Sequence, residues 1–311
     1  MTAHVLLNPA ARGGRNAALR PALGAALADA GIDATIHTTA APGDAEPLAR
    51  ALGEAGEVVI VAGGDGTIHE AVNGLVGTDG VLGVLAMGTG NDFAHALGMV
   101  DPLADAARQL AEAPRVAVDL GRVRWTDSAG THERLFSNCL GAGFDAHVAA
   151  LAAETKWLGG RAAYLAAVLR TLWAWRRPLH HVRTRVLAGA HEDDPLGHDG
   201  PLFLCSVGNG HSVGGGFHLT PDAVPHDGLL DVCLVRHLPT RRALKLLPTT
   251  FTGDHVGEAE VAMARLAGFG LDVATGALAV HADGEILTLG ATQMEVEVLP
   301  GAITALAPGL G

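Results

Sequence analysis

The sequence predicts an α/β chain. An N-terminal α/β domain over residues 1–120 precedes a second, β-rich and sandwich-like domain over residues 121–311, whose C-terminal strands could return to the first. Three features predict it. The first third alternates short apolar runs with helix-like segments, as a parallel sheet covered by helices does. Within it, VVIVA at 58–62 is a continuous β-branched run of the kind buried on both faces of such a sheet. From about residue 116 the rhythm changes to short apolar strands separated by Gly, Pro and Asp turns.

Taken in order, AHVLLN reads as the first strand and RNAALRPALGAALADAG as a helix closed by Gly31. IDATIHTT is a second strand, DAEPLARALGEAG a second helix and VVIVA a third strand. After the glycines, Ile68, Ala71, Val72, Leu75 and Val76 recur at helical spacing. VLGVLAM at 81–87 is a further strand, and Asp101 with Pro102 predicts the N-cap and first-turn proline of the helix PLADAARQLAEA. In the second domain AVDLGRVRW, RLFSNCL, RTRVLA, PLFLCSV, LLDVCLV, LAVHA, EILTL and MEVEVL read as strands, interrupted by one helical stretch around AAYLAAVLRTLWAW.

At 311 residues and 49% apolar composition, the chain can bury a large core and is not a disordered protein. Cys139, Cys205 and Cys233 each stand in an apolar, strand-like run without metal-ligand spacing, which predicts core thiols in a reducing compartment. The opening MTAHVLLNPAARGG lacks a leader pattern, and no apolar run is long enough to span a bilayer. The expectation is a cytoplasmic protein. A net charge of -12 argues against nucleic-acid binding, because a phosphate-tracking surface needs a basic excess. The charge is uneven, however. Between Glu154 and Glu192 there is no acidic residue, while Lys156, Arg161, Arg170, Arg176, Arg177, Arg183 and Arg185 fall there, interleaved with Trp157, Tyr164, Trp173 and Trp175. Amphipathic aromatics among cations suit an anionic headgroup region, so this segment is expected to dock peripherally on the inner face of a membrane. The alternative is a core helix with a solvated cationic face.

The strongest local signal is Gly63-Gly64-Asp65-Gly66-Thr67, between the buried strand VVIVA and a helix. Glycines let backbone N–H groups approach an anion, and a helix N-terminus adds a favourable partial charge, so a phosphate fits. A glycine-rich turn capped by Asp65 is the plain alternative. A carboxylate inside such a loop would repel phosphate unless a cation stands between them, which suggests a Mg2+-nucleotide. Neither a GxxxxGK[ST] loop nor a GxGxxG after a strand is present. A second loop, Gly88-Thr89-Gly90-Asn91-Asp92-Phe93-Ala94, follows the next strand, so Asp65 and Asp92 are expected in one crevice at the strand ends. His226-Asp227-Gly228 and Asp283-Gly284-Glu285 read as hairpin turns. The sixteen histidines form no HExxH or similar ligand pair, and none is assigned a catalytic role.

GGDGT, GTGNDFA, the opening Asn8-Pro9-Ala10-Ala11-Arg12 turn, the GGG-to-DG segment from Gly214 to Asp231 and the late Asp283-Gly284-Glu285 stand in the order found in diacylglycerol kinases, sphingosine kinases and their bacterial relatives. The chain resembles this lipid-kinase family over nearly its whole length. Arg12 departs from the pattern, where Gly is usual. The resemblance implies ATP and Mg2+ as cofactors, with nucleotide contacts from Asn8, Pro9, Ala10, Ala11, Arg12, Thr39, the stretch Gly64, Asp65, Gly66, Thr67, Ile68, His69 and Glu70, and Thr89. It further implies that Asp65 and Asp92 order the Mg2+, that Glu285 is the general base, and that a second, structural Mg2+ lies at Asp227 with the carbonyls of Val224 and Leu229. The implied reaction is transfer of the ATP γ-phosphate to a hydroxyl of a diacylglycerol-like or sphingoid lipid. A soluble-metabolite kinase akin to NAD kinases, and a nucleotide-binding regulator without turnover, are the rival readings. A homodimer is left open.

Overall fold

The computed structural model describes residues 1–154, 160–174, 180–189 and 196–310. It divides into two compact units, Met1–Asp119 with Pro300–Gly311, and Leu120–Leu299. In chain order the first unit holds β1 (Thr2–Leu7), α1 (Ala11–Gly14), α2 (Asn16–Asp29), β2 (Asp33–Thr38), α3 (Ala45–Glu54), β3 (Val58–Gly63), α4 (Asp65–Leu75), β4 (Val81–Ala86), α5 (Asp92–Ala96) and α6 (Leu103–Glu112). β5 (Arg115–Asp127) then carries the chain into the second unit.

β1 pairs in parallel with β2 on one side and β3 on the other, and β3 pairs in parallel with β4. The chain leaves β1 for β2 and returns to β3 across it, which creates a topological switch point at the carboxyl ends of β1 and β3. Every residue of β3 is buried, as the β-branched run requires. α4 covers it with Ile68, Ala71, Val72 and Leu75, all buried. Ile68, Val72 and Leu75 each contribute about 1.5–3 kcal/mol of burial, and Ala71 less. Pro102, not Asp101, takes the N-cap position of α6; it is extended, and no side chain caps that helix.

The second unit contains β6 (Gly130–Phe136), β7 (Cys139–Gly143), α7 (Phe144–Glu154), α8 (Gly160–Ala174), β8 (His180–Ala188), β9 (Asp199–Gly208), β10 (Leu230–Arg236), α9 (Thr240–Leu246), β11 (Val261–Leu266), β12 (Gly268–Thr275), β13 (Leu278–Ala282) and β14 (Glu285–Ala291). β15 (Gln293–Leu306) begins here and ends in the first unit, where Thr304 and Ala305 pair in parallel with β4. Residues from Pro300 onward therefore belong to the first unit, the return that the sequence leaves open for the C-terminal strands of the 121–311 segment. β9 pairs antiparallel with β7, β8 and β10. Along β10 the side chains alternate: Leu230, Val232 and Leu234 enter one apolar cluster between strands, while Cys233 and Val235 enter another with residues of α7, α8 and α9. The unit thus has a β-rich, sandwich-like core with helices on one sheet face. α7, α9, β11 and β12 were not among the elements read from sequence. All three cysteines are free and buried, and burial pushes the Cys233 thiol up to about 12 and the Cys205 thiol up as well.

Candidate functional site

In the first unit, the loops after β3 and β4 touch backbone to backbone. A Cβ on Gly88 would stand 2.4 Å from the Cα of Gly64, so side chains at these positions would force the loops apart. Asn91, left-handed at φ 60, accepts the Gly88 amide on its side-chain oxygen at 2.8 Å and donates its own amide to Asp65 Oδ2 at 2.8 Å. A Cβ on Gly90 would lie 2.8 Å from Asp65 Oδ2 and 3.2 Å from Asp92 Oδ2. The two carboxylates therefore border one point. Such an oxygen-only pair could hold a Mg2+.

The Asn8 turn, at the carboxyl end of β1, is tied into the same place. Asn8 Nδ2 donates to Thr67 Oγ1 at 2.8 Å, and Asn8 Oδ1 accepts from the Ala10 amide at 3.0 Å, which sets Pro9, Ala10 and Ala11 in a tight turn. Arg12 is left-handed, at φ 53, the conformation natural to the Gly that the family pattern has there. Its side chain is exposed. Thr67, Ile68 and His69 are buried, and the amides of Thr67 and Ile68 donate to the Gly64 carbonyl at 2.9 and 3.1 Å, so these residues support the loop from below. Glu70 accepts from the amides of Gly43 at 2.8 Å and Ala45 at 3.1 Å, which holds the segment between Thr39 and α3. Thr39 is buried, with its amide on the Leu7 carbonyl, and Thr89 is exposed. Sequence reasoning missed Asn16, a buried residue whose Nδ2 donates to the Met87 carbonyl at 2.9 Å and anchors the start of α2 beside the second loop. It lies in no motif.

In the second unit, Asp283 and Gly284 adopt φ 47 and 84, the two positive values of a tight hairpin turn, and Ala282 pairs with Glu285 across it. The Asp283 carboxylate accepts from the amides of Ser137, Asn138 and Cys139 at 2.8–2.9 Å and from Ser137 Oγ at 3.1 Å. His281 Nδ1 accepts the Gly284 amide at 3.3 Å, so its other nitrogen donates to Asp145 Oδ2 at 3.2 Å. Asp283 thus anchors the turn, and Glu285 projects from it as an exposed carboxylate.

The same unit encloses an open pocket of about 620 Å³, mouth included, walled by apolar groups such as Phe144, Val168, Leu172, Phe203 and Phe217. The rings of Phe144 and Phe203 stack with centroids 4.6 Å apart. Walls of this kind suit hydrocarbon.

The Asp227 turn is also formed. Asp227 Oδ1 accepts the Leu229 amide at 3.0 Å, its other oxygen pairs with Arg265, and the Val224 carbonyl accepts the His226 amide at 2.8 Å. Arg265 stands opposite Asp231 in the β10–β11 register and approaches that buried carboxylate at 3.6 Å. Burial, opposed by Arg265, raises the Asp231 carboxyl to about 6. A metal ion on Asp227 would share it with this guanidinium.

The basic segment differs from its sequence pattern. Arg183 is paired with Asp199, and Arg185 with Asp272 and Glu295, so these two cations are matched by acids distant in sequence. Lys156, Trp157, Trp175, Arg176 and Arg177, with the side chains of Arg161 and Tyr164, lie outside the described residues. On α8, Leu165, Leu169 and Trp173 recur at every fourth residue and are exposed, Trp173 at 90%. Arg170 is exposed beside them. Among the described residues no helix is long and apolar enough to cross a membrane.

Residues 2–123 match the diacylglycerol kinase catalytic domain, and residues 138–307 the YegS C-terminal NAD kinase beta sandwich-like domain. A diacylglycerol kinase of Mycobacterium tuberculosis is 33% identical, covering 98% of this chain and 95% of the relative. A Pseudomonas aeruginosa protein described as "Probable lipid kinase YegS-like" is also 33% identical, covering 91% and 88%. A solved diacylglycerol kinase structure from Bacillus anthracis shares the fold, with a TM-score of 0.73 at 23% identity and coverage of 99% and 97%.

Proposed function

We infer, since this chain belongs to the family of diacylglycerol kinases and YegS-like lipid kinases, that it transfers the γ-phosphate of ATP to a hydroxyl of a diacylglycerol-like or sphingoid lipid. The observation that carries the lipid half is the apolar pocket of the second unit, whose walls are hydrocarbon in all but a few positions and so suit a lipid chain better than a soluble polyol. The nucleotide half rests on the loops that bring Asn8, Asp65 and Asp92 together. In this reading the glycine-rich loop holds the phosphates, and Asp65 and Asp92 hold Mg2+. A Mg2+ held by these carboxylates would supply neutralisation of phosphate charge, and Glu285 accepts the proton of the attacking hydroxyl. With labelled ATP and a panel of lipids and soluble polyols, label is expected in the lipid phase. Label confined to NAD or a polyol would contradict the reading.

Access to such a lipid requires a membrane surface, and α8 supplies the surface that fits. Its Leu165, Leu169 and Trp173 ridge would enter the headgroup boundary while Arg170 meets anionic lipid, and each cation near such a surface is worth about 1 kcal/mol. In sedimentation with vesicles, the protein is expected to bind those containing anionic lipid, and the double replacement Leu169→Ala with Trp173→Ala to lose at least half of that binding. Equal recovery with neutral vesicles, or no effect of the replacements, would remove α8 from the docking surface.

A further inference from the structure

The pocket of the second unit is apolar in all but a few positions, and one of these is His255. It is 1% exposed. Its Nε2 lies 3.1 Å from the carbonyl of Leu219; a carbonyl only accepts, so Nε2 carries the hydrogen and Nδ1 is a bare acceptor. That acceptor has no hydrogen-bond partner among the described residues. Burial also holds the imidazole below its ordinary pKa, against opposing effects of the Leu219 carbonyl and Asp254, so the ring stays neutral near pH 7. A buried, unsatisfied acceptor costs free energy until a donor reaches it, and the wall around it is hydrocarbon. We propose that His255 Nδ1 is a specificity element that accepts a hydrogen bond from a hydroxyl or amide N–H on the lipid lying in this pocket. The preferred occupant is then a chain carrying a polar donor along its length, as hydroxylated acyl chains and sphingoid-type lipids do, and not one that is hydrocarbon throughout.

The inference rests on the reading of the pocket as a hydrocarbon site, and the experiment separates the two. Stearic acid and a set of hydroxystearic acids, differing in the position of the hydroxyl, compete with a fluorescent fatty acid for the full-length protein. At least one positional isomer is expected to bind about tenfold more tightly than stearic acid, in keeping with one buried neutral hydrogen bond. In His255→Leu that preference should vanish while stearic acid binds as well as before or better. If no isomer is preferred by the wild type, a water molecule serves Nδ1 and the proposal falls while the hydrocarbon site stands. Preference retained in His255→Leu overturns the role of His255. If no chain competes at all, the hydrocarbon reading of the pocket fails and takes this inference with it. The wild-type comparison does not depend on the variant folding.

Discussion

Asp65→Asn is expected to abolish turnover while the protein keeps its fold. The replacement is near-isosteric, and the asparagine oxygen can still accept the Asn91 amide that now bonds Asp65 Oδ2, so the contact between the two loops survives. What disappears is the charge. Asp65 and Asp92 border a single point beside Gly90, and halving their charge removes the means of holding a divalent ion against the phosphates. Phosphoryl transfer depends on positioning and charge neutralisation more than on covalent chemistry, so the loss falls on the transition state. ATP binding should survive in weakened form through the Asn8 turn and the loop amides. Steady-state kinetics beside a thermal melt checks this: activity should be undetectable with a melting temperature within about 2 °C of wild type, a shift of less than about 1 kcal/mol. Wild-type turnover in the variant would remove Asp65 from the site.

Glu285→Gln is expected to lower kcat by at least about a hundredfold with the ATP dissociation constant almost unchanged. A lipid hydroxyl has a pKa far above neutrality, and a positioned carboxylate that takes its proton is commonly worth about 10²- to 10⁴-fold. The turn that carries Glu285 is held independently of its side chain, because Asp283 is gripped by Ser137, Asn138 and Cys139 and the Gly284 amide is held by His281. Replacing an exposed Glu by Gln leaves all of these bonds in place, so a kinetic defect in this variant speaks to chemistry and not to folding. Near-wild-type turnover would move the base elsewhere. Asp283 is a poor substitute, since its carboxylate is buried and already receives four donors.

The first unit was the more legible in sequence, and the reason is local. VVIVA announces a strand buried on both faces, the glycines after it announce a loop that must approach something closely, and Ile68, Ala71, Val72 and Leu75 announce the helix that follows. Strand, loop and helix lie within one short stretch, so local pattern suffices. α7 was hidden for the opposite reason. Its sequence, FDAHVAALAAE, is apolar almost throughout, so no polar face marks its helical period. Pairings between distant segments were illegible as well. Arg183 and Arg185 look like part of an uninterrupted cationic stripe until β8 is set beside β9 and β12, which brings Asp199 and Asp272 against them. Arg265 reaches Asp227 and Asp231 by the same antiparallel logic. The role of Glu70 was likewise invisible, because its partners Gly43 and Ala45 belong to a loop that only the tertiary fold brings close.

The most direct test of the central claim is to isolate the product formed by the wild-type protein from ATP, Mg2+ and diacylglycerol in vesicles containing anionic lipid, and to count ADP released against phosphate found on the lipid. One phosphorylated lipid for each ADP, with the phosphate on the free hydroxyl, is the predicted result. ADP release without a phosphorylated lipid, whether the phosphate has gone to water or to a soluble alcohol, would contradict it.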